Sequence, residues 1–235
     1  MTKIIESDDY KIIEDHKNKN TYSIIFNSPE EILIKSLTKS KIITGATVLD
    51  DYSSIKFKAT SIKTFKQFKQ EQIEANGTKK RLSTQTAAKI LINLLAQLKY
   101  LQTHFSQTFI GYNEKDLIVI DETRFAFLAP ELLYKIDRFK NAILISHPFL
   151  EANFFLSPEL YSIKEVPSYV NYKTTYFSLA YLIMNNLAPN STSLNPGTNE
   201  IMSAVDELPI CRTKLYWFLS RCLNPDPERR EAIFI

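Results

Sequence analysis

Glycine is scarce. The chain has only Gly45, Gly77, Gly111 and Gly197 in 235 residues, spaced too far apart for a G-x-G-x-x-G loop, so no such loop lies over a nucleotide's phosphates. His16, His104 and His147 are scattered, no His/Cys spacing resembles a zinc site, and no Ser/His/acid triad can be assigned. Cys211 and Cys222 are the only cysteines; both sit in an apolar, helix-like stretch and are expected to be reduced core residues, not a disulfide. The densest apolar run, Phe177 to Met184, is too short to cross a bilayer, and Met1 to Asp9 contains no apolar leader core. The expectation is an intracellular, by default cytoplasmic, protein with no membrane partner. The sequons at Asn76 and Asn190 are then accidental.

What the chain does have is enough apolar sequence for a core: 44% apolar and 23% charged residues need neither metal nor disulfide. A net charge of +3 and a pI near 8.6 are too mild to point to nucleic acid or an anionic membrane. Lys63, Lys66 and Lys69, followed by Lys79, Lys80 and Arg81, interleave with Phe65 and Phe68. Basic residues among aromatics suit single-stranded nucleic acid, but a solvated face is the better reading here.

Residues 1 to about 75 alternate short Ile, Tyr, Phe and Val-rich runs with polar breaks, at Thr21 to Phe26, Glu31 to Leu37, Lys41 to Val48 and Ser54 to Ala59. That rhythm predicts strands in one antiparallel sheet. Ala75 to Lys80 is turn-like and marks a boundary, giving a β-rich part over 1–75 and a helical part over 76–235. Ser83 is placed to cap a long helix whose face carries Leu91, Leu94, Leu95, Leu98 and Leu101. A hairpin follows, Asp116 to Ile120 and Phe125 to Leu128 around the turn Asp121 to Arg124. Thr174 to Leu187 is apolar almost all round, as in a helix at a domain centre, and a last helix shows Leu215, Phe218, Leu219 and Cys222 on one face.

Two fragments then become informative: Phe155-Leu156-Ser157-Pro158-Glu159 and Leu223-Asn224-Pro225-Asp226-Pro227-Glu228-Arg229-Arg230. Both resemble signatures of the eukaryotic protein kinase C-terminal lobe. Leu98-Lys99-Tyr100-Leu101 resembles the end of the helix before the catalytic loop, and Tyr176 to Ala180 the start of the central helix. The similarity is specific over residues 83–230. It implies an α+β, bilobal kinase-like fold with a reduced antiparallel β N-lobe and a mainly helical C-lobe. It also implies a buried ion pair between Glu159 and Arg230, with Asp226-Pro227 forming the turn that sets Arg230.

The chemistry of that family is missing. A kinase uses an Asp to orient the acceptor hydroxyl, and an Asn and a further Asp to hold Mg²⁺. Here the base position falls on Gly111 or Tyr112, depending on register, and neither accepts a proton usefully at neutral pH. The D-F-G position falls near Ala129-Pro130-Glu131, and the central-helix Asp is replaced by Thr175. Lys35, in Ile32-Leu33-Ile34-Lys35, resembles the strand lysine that meets phosphates; Asp116 stands near the Asn position, and Glu131 is a substitute carboxylate. These three are the cofactor-binding candidates.

The resemblance thus implies a pseudokinase acting as a protein-binding scaffold, decoy or allosteric regulator, with a kinase or a kinase substrate as partner and no cofactor expected. Two alternatives stay open: an atypical ATP- and Mg²⁺-dependent Ser/Thr kinase using displaced carboxylates, and an α/β interaction module unrelated to kinases. Lys164 to Tyr172, rich in tyrosine, is a candidate protein-binding surface. The Ile, Lys and Asn content resembles kinase-like proteins of AT-rich genomes, large DNA viruses among them.

Overall fold

Period-two burial builds the first sheet. Ile12, Ile24 and Ile55 face one another on neighbouring strands and are fully buried, the row of cross-strand contacts that stabilises a sheet with one covered face. The computed structural model describes residues 2–75, 81–147, 155–188 and 200–234. It is a mixed α+β protein with antiparallel sheets. The chain separates into two units, the first comprising Met1–Asn76, Asn93–Phe105 and Glu114–Glu131, the second Gly77–Ile92, Ser106–Asn113 and Leu132–Ile235. One junction falls near the expected 75/76 boundary, and the first unit takes in two later segments as well.

The first unit holds strands β1 (Thr2–Glu6), β2 (Tyr10–Glu14), β3 (Thr21–Phe26), β4 (Thr47–Val48) and β5 (Ser54–Lys58) in the order β1-β2-β3-β5-β4. β3 and β5 lie where alternation predicts them. Glu31 to Leu37 does not form the expected strand: it belongs to helix α1 (Glu31–Lys39). Its buried residues, Leu33, Ile34, Ser36 and Leu37, recur at helical spacing, a pattern that a contiguous apolar triplet hides. Pro29 just before the helix, Glu31 in its first turn and Lys39 in its last are the start and stop signals. Of Lys41 to Val48 only Thr47–Val48 is strand.

Strands β6 (Ile62–Thr64), β8 (Leu117–Ile120) and β9 (Arg124–Phe127) form a three-stranded sheet in the same unit. Helix α2 (Phe65–Ala75) lies alongside it. Phe65 and Phe68 are buried, Phe68 meeting Phe125 edge-on at 5.4 Å. Lys63 pairs with Glu71 and Glu122, and Lys69 with Glu114. Among the described residues of this stretch, Phe65 and Phe68 are thus core aromatics and Lys63 and Lys69 are ion-paired, while Lys79 and Lys80 lie outside the described residues.

Helix α3 (Thr84–Phe105) begins in the second unit and ends in the first. Ser83 caps it by accepting the Thr86 N–H at 3.0 Å. The second unit adds a four-stranded sheet, β12 (Ser168–Asn171), β11 (Ala142–Ile145), β10 (Leu133–Asp137) and β7 (Gln107–Phe109), in that order. Its helices are α4 (Pro158–Tyr161), α5 (Thr174–Leu187), α6 (Glu200–Asp206) and α7 (Lys214–Cys222). α5 is buried on nearly every face and packs on α7. Cys222 is buried, donates to the Glu231 carbonyl, and has its thiol pKa pushed up to about 12 by burial. Cys211 is exposed, contrary to expectation; it lies in the turn before α7, outside the helix.

Candidate functional site

In the second unit, Ser157-Pro158 starts α4 with Pro in its first turn, which fixes Glu159 at the helix start. Asp226 accepts the Glu228 N–H at 3.0 Å, and Pro227 to Arg229 form a 3-10 turn that delivers Arg230. The two side chains meet as a bidentate pair, Arg230 Nη1 on Glu159 Oε1 and Nη2 on Oε2, the latter at 2.9 Å. Arg230 is fully buried. Its Nε donates to the Asn224 carbonyl at 2.7 Å, its Nη2 also to Pro225 at 3.0 Å, and the Phe177 ring lies 5.0 Å from the guanidinium. Fork geometry, several acceptors and an aromatic face are what a buried guanidinium needs to offset its lost hydration.

The same unit brings Gly111, Tyr112 and Thr175 together. A Cβ on Gly111 would lie 2.6 Å from Leu156 Cδ2, so the residue preceding the Ser-Pro-Glu turn occupies the space a side chain at position 111 would take. Tyr112 forms a bridge with Phe155 and is fully buried. Burial drives its phenol pKa well above the ordinary value, and its hydroxyl faces Thr175. Thr175 is itself fully buried. A phenol held protonated and a packed glycine offer no general base.

In the first unit, Asp116 and Glu131 converge on the turn between β1 and β2. Asp116 is almost fully buried and accepts the Ser7 hydroxyl at 3.0 Å. Glu131, in the 3-10 turn Pro130–Leu132, lies close enough to Asp9 and Asp116 to feel both charges. Burial first, then the charges of Asp116 and Asp9, raise the Glu131 pKa to about 7. The residue as a whole is exposed to solvent. Tyr10 is buried beside these acids, with no hydrogen-bond partner for its hydroxyl among the described residues. Burial and the neighbouring carboxylates hold its pKa far above the usual phenol value. Asn27 pins the turn, its N–H donating to Asp9 O at 2.9 Å and its side chain to Asp8 O at 2.5 Å. An open cleft of about 680 Å³ borders the turn, lined by Glu6, Ser7, Asp8, Tyr10, Lys11 and Lys115 among others.

Lys35 is not on a strand and does not join these carboxylates. It sits on α1, pairs with Glu31 one turn earlier, and lies 5.3 Å from the Tyr52 ring. The hydrogen bond that it donates to Glu31 is the main cause of its raised pKa. Ala129 is buried beside Pro130 and presents no ligand. Among the described residues no three His, Cys, Asp or Glu side chains are grouped so as to hold a metal ion, and no helix is long and apolar enough to cross a membrane.

Sequence reasoning missed Ser7, Asp9 and Tyr10. Ile4-Ile5 and Tyr10-Lys11-Ile12 flanking Ser7-Asp8-Asp9 are a legible hairpin signal; the partner of Ser7, 109 positions away, is not. No protein-family model matches the chain, and no curated protein matches it either.

Proposed function

We propose that the chain is a pseudokinase: a kinase-like protein with a reduced antiparallel N-terminal lobe and a mainly helical C-terminal lobe. It works without phosphoryl transfer, by binding a protein partner as scaffold, decoy or allosteric regulator. The observation that carries this reading is the bidentate Glu159–Arg230 pair, formed between the two fragments that resemble the family and set by the Asp226-Pro227 turn. Glycine, tyrosine and threonine at Gly111, Tyr112 and Thr175 supply packing where the family has acid and base. The bilobal kinase-like fold is part of the proposal.

One observation favours a second reading, an atypical ATP-dependent kinase: Asp116 and Glu131 come close enough for the charge of Asp116 to act on Glu131 and for both to act on Tyr10. Against it, Ser7 already occupies the Asp116 carboxyl, and Lys35 is engaged elsewhere.

Thermal unfolding with and without ATP, each with and without Mg²⁺, decides between them, because a ligand at 100 times its Kd adds about 2.7 kcal/mol of stability. The pseudokinase reading expects no Mg²⁺-dependent shift at millimolar nucleotide. A clear upward shift, abolished by Asp116→Asn or Glu131→Gln, would establish the second reading.

A further inference from the structure

Strand β12 is the edge of the four-stranded sheet, pairing on one side only with β11. Its register sets Ile143 opposite Val170 and Ile145 opposite Ser168, with Leu144 opposite Tyr169 between them. Tyr172 N–H donates to Asn141 O at 3.1 Å, one step beyond the strand. Antiparallel ladders alternate bonded and non-bonded pairs, so Val170 and Ser168 face β11 with their backbone groups. The N–H and C=O of Tyr169 and Asn171 therefore point out of the sheet. No hydrogen bond from the described residues reaches them.

These outward groups open into a groove of about 550 Å³, whose opposite wall includes Glu159, Ser162, Ile163, Lys164 and Glu165. Its apolar part is Ile163, Pro227 and the exposed Tyr169, and Leu144, also exposed, stands opposite Tyr169 across the ladder. Lys140 rests over the Tyr169 ring at 3.8 Å, leaving the strand flanked by an ordered aromatic. Natural edges are blunted by charge, proline or a covering element. Here Pro167 precedes the strand and the Asn171 side chain donates to Glu228 at 2.7 Å, but Tyr169 and Asn171 themselves carry no charge, and the groove runs beside them.

We propose that β12 is a docking edge for an extended peptide segment of a partner protein. The segment joins the sheet as a further strand and sets an apolar side chain against Tyr169. Lys164 and Glu165 contribute one charge of each sign, and Glu159 is already matched by Arg230, so the groove favours a segment of low net charge. The proposal deepens the protein-binding part of the reading above, but its evidence is the ladder and the groove, so its test is independent of the nucleotide experiment.

The probe is a random nonapeptide library displayed on phage, selected against the full chain. Selected peptides are then synthesised with single N-methylations, and amide exchange is followed at Tyr169 and Asn171. Expected results are slowed exchange at those two amides and an affinity loss of about tenfold when N-methylation removes a donor facing the strand. N-methylation at alternate positions should have little effect. Tyr169→Pro should abolish binding with its melting temperature preserved, since an outward N–H on an edge strand tolerates proline; Tyr169→Ala should weaken it less. Peptides that bind while leaving both amides unchanged, or a library that yields no binder, overturn the proposal. So does concentration-dependent dimerisation that Tyr169→Pro abolishes, which would make the occupant a second copy.

Discussion

Arg230 has every edge of its guanidinium engaged: a carboxylate along the fork, the Asn224 and Pro225 carbonyls beside it and Phe177 at 5.0 Å. Arg230→Ala strands Glu159 and two carbonyls in a buried place, a cost of about 3–5 kcal/mol, or roughly 6–20 °C in melting temperature for a chain of this size. The double variant Glu159→Leu/Arg230→Met should recover part of that loss, because it removes both charges while leaving the two carbonyls unpaired. An Arg230→Ala protein that melts like wild type would remove the pair from any structural role. Glu131 makes a prediction of the opposite kind. Its folded pKa near 7 lies above the ordinary carboxyl value, so between the two the folded state binds more protons than the unfolded state. Its contribution to stability therefore falls as pH rises from about 4.5 to about 7 and is level above that. Glu131→Gln should flatten this part of the stability–pH profile and gain most, relative to wild type, at pH 8. Equal pH profiles for the two proteins would mean that folding does not raise the Glu131 pKa.

Between elements, Gln97 of α3 acts as a strand mate for β9: its Nε2 donates to Phe127 O at 3.0 Å and its Oε1 accepts the Phe127 N–H at 3.2 Å. The same Nε2 reaches Ser36 Oγ of α1 at 3.2 Å. All three residues are fully buried. Gln97→Leu should thus leave backbone donor and acceptor unsatisfied at about 1–3 kcal/mol each, and hydrogen exchange at the Phe127 amide should speed up; unchanged exchange would refute the bridge. Local pattern reveals some elements and hides others for this reason. β3, β8, β9, α3, α5 and α7 were legible because their burial follows a clean period of two or 3.6, or is total. α1 was not, since Ile32-Leu33-Ile34 fits either period, and its capping signals, not its apolar run, carry the distinction. β10 and β12 are short strands interrupted by polar residues and β11 is an apolar run of only four residues, and their identity comes from pairing. The site divides similarly: the Glu159–Arg230 contact was legible from two sequence fragments. The meeting of Ser7 with Asp116 depends on a long-range pairing that no local pattern encodes.

At the scale of the whole chain, five junctions separate the two units, at 76/77, 92/93, 105/106, 113/114 and 131/132. The boundary that sequence reading favours, near residue 75, cuts only the first of these. A fragment of residues 1–76 would keep β1 to β5 but lose β8, the partner of β6, and with it β9. Phe65 and Phe68, buried in the whole protein, would lose Phe125 and the hairpin they cover, while Ser36 would lose Gln97. Exposing two phenylalanines costs about 1.5–3 kcal/mol each, a large share of the 5–15 kcal/mol that holds a domain together. A fragment of 77–235 would keep α3, β8 and β9 but not the strands and helices they pack against. We therefore expect neither fragment to fold by itself: each should give a poorly dispersed amide NMR spectrum and no cooperative melting. Co-expression of the two should restore both signals, since every native contact is again available. A 1–76 fragment with a dispersed spectrum and a sharp melting transition would show instead that the β-rich part is an autonomous domain, and that β8 and β9 are additions to it.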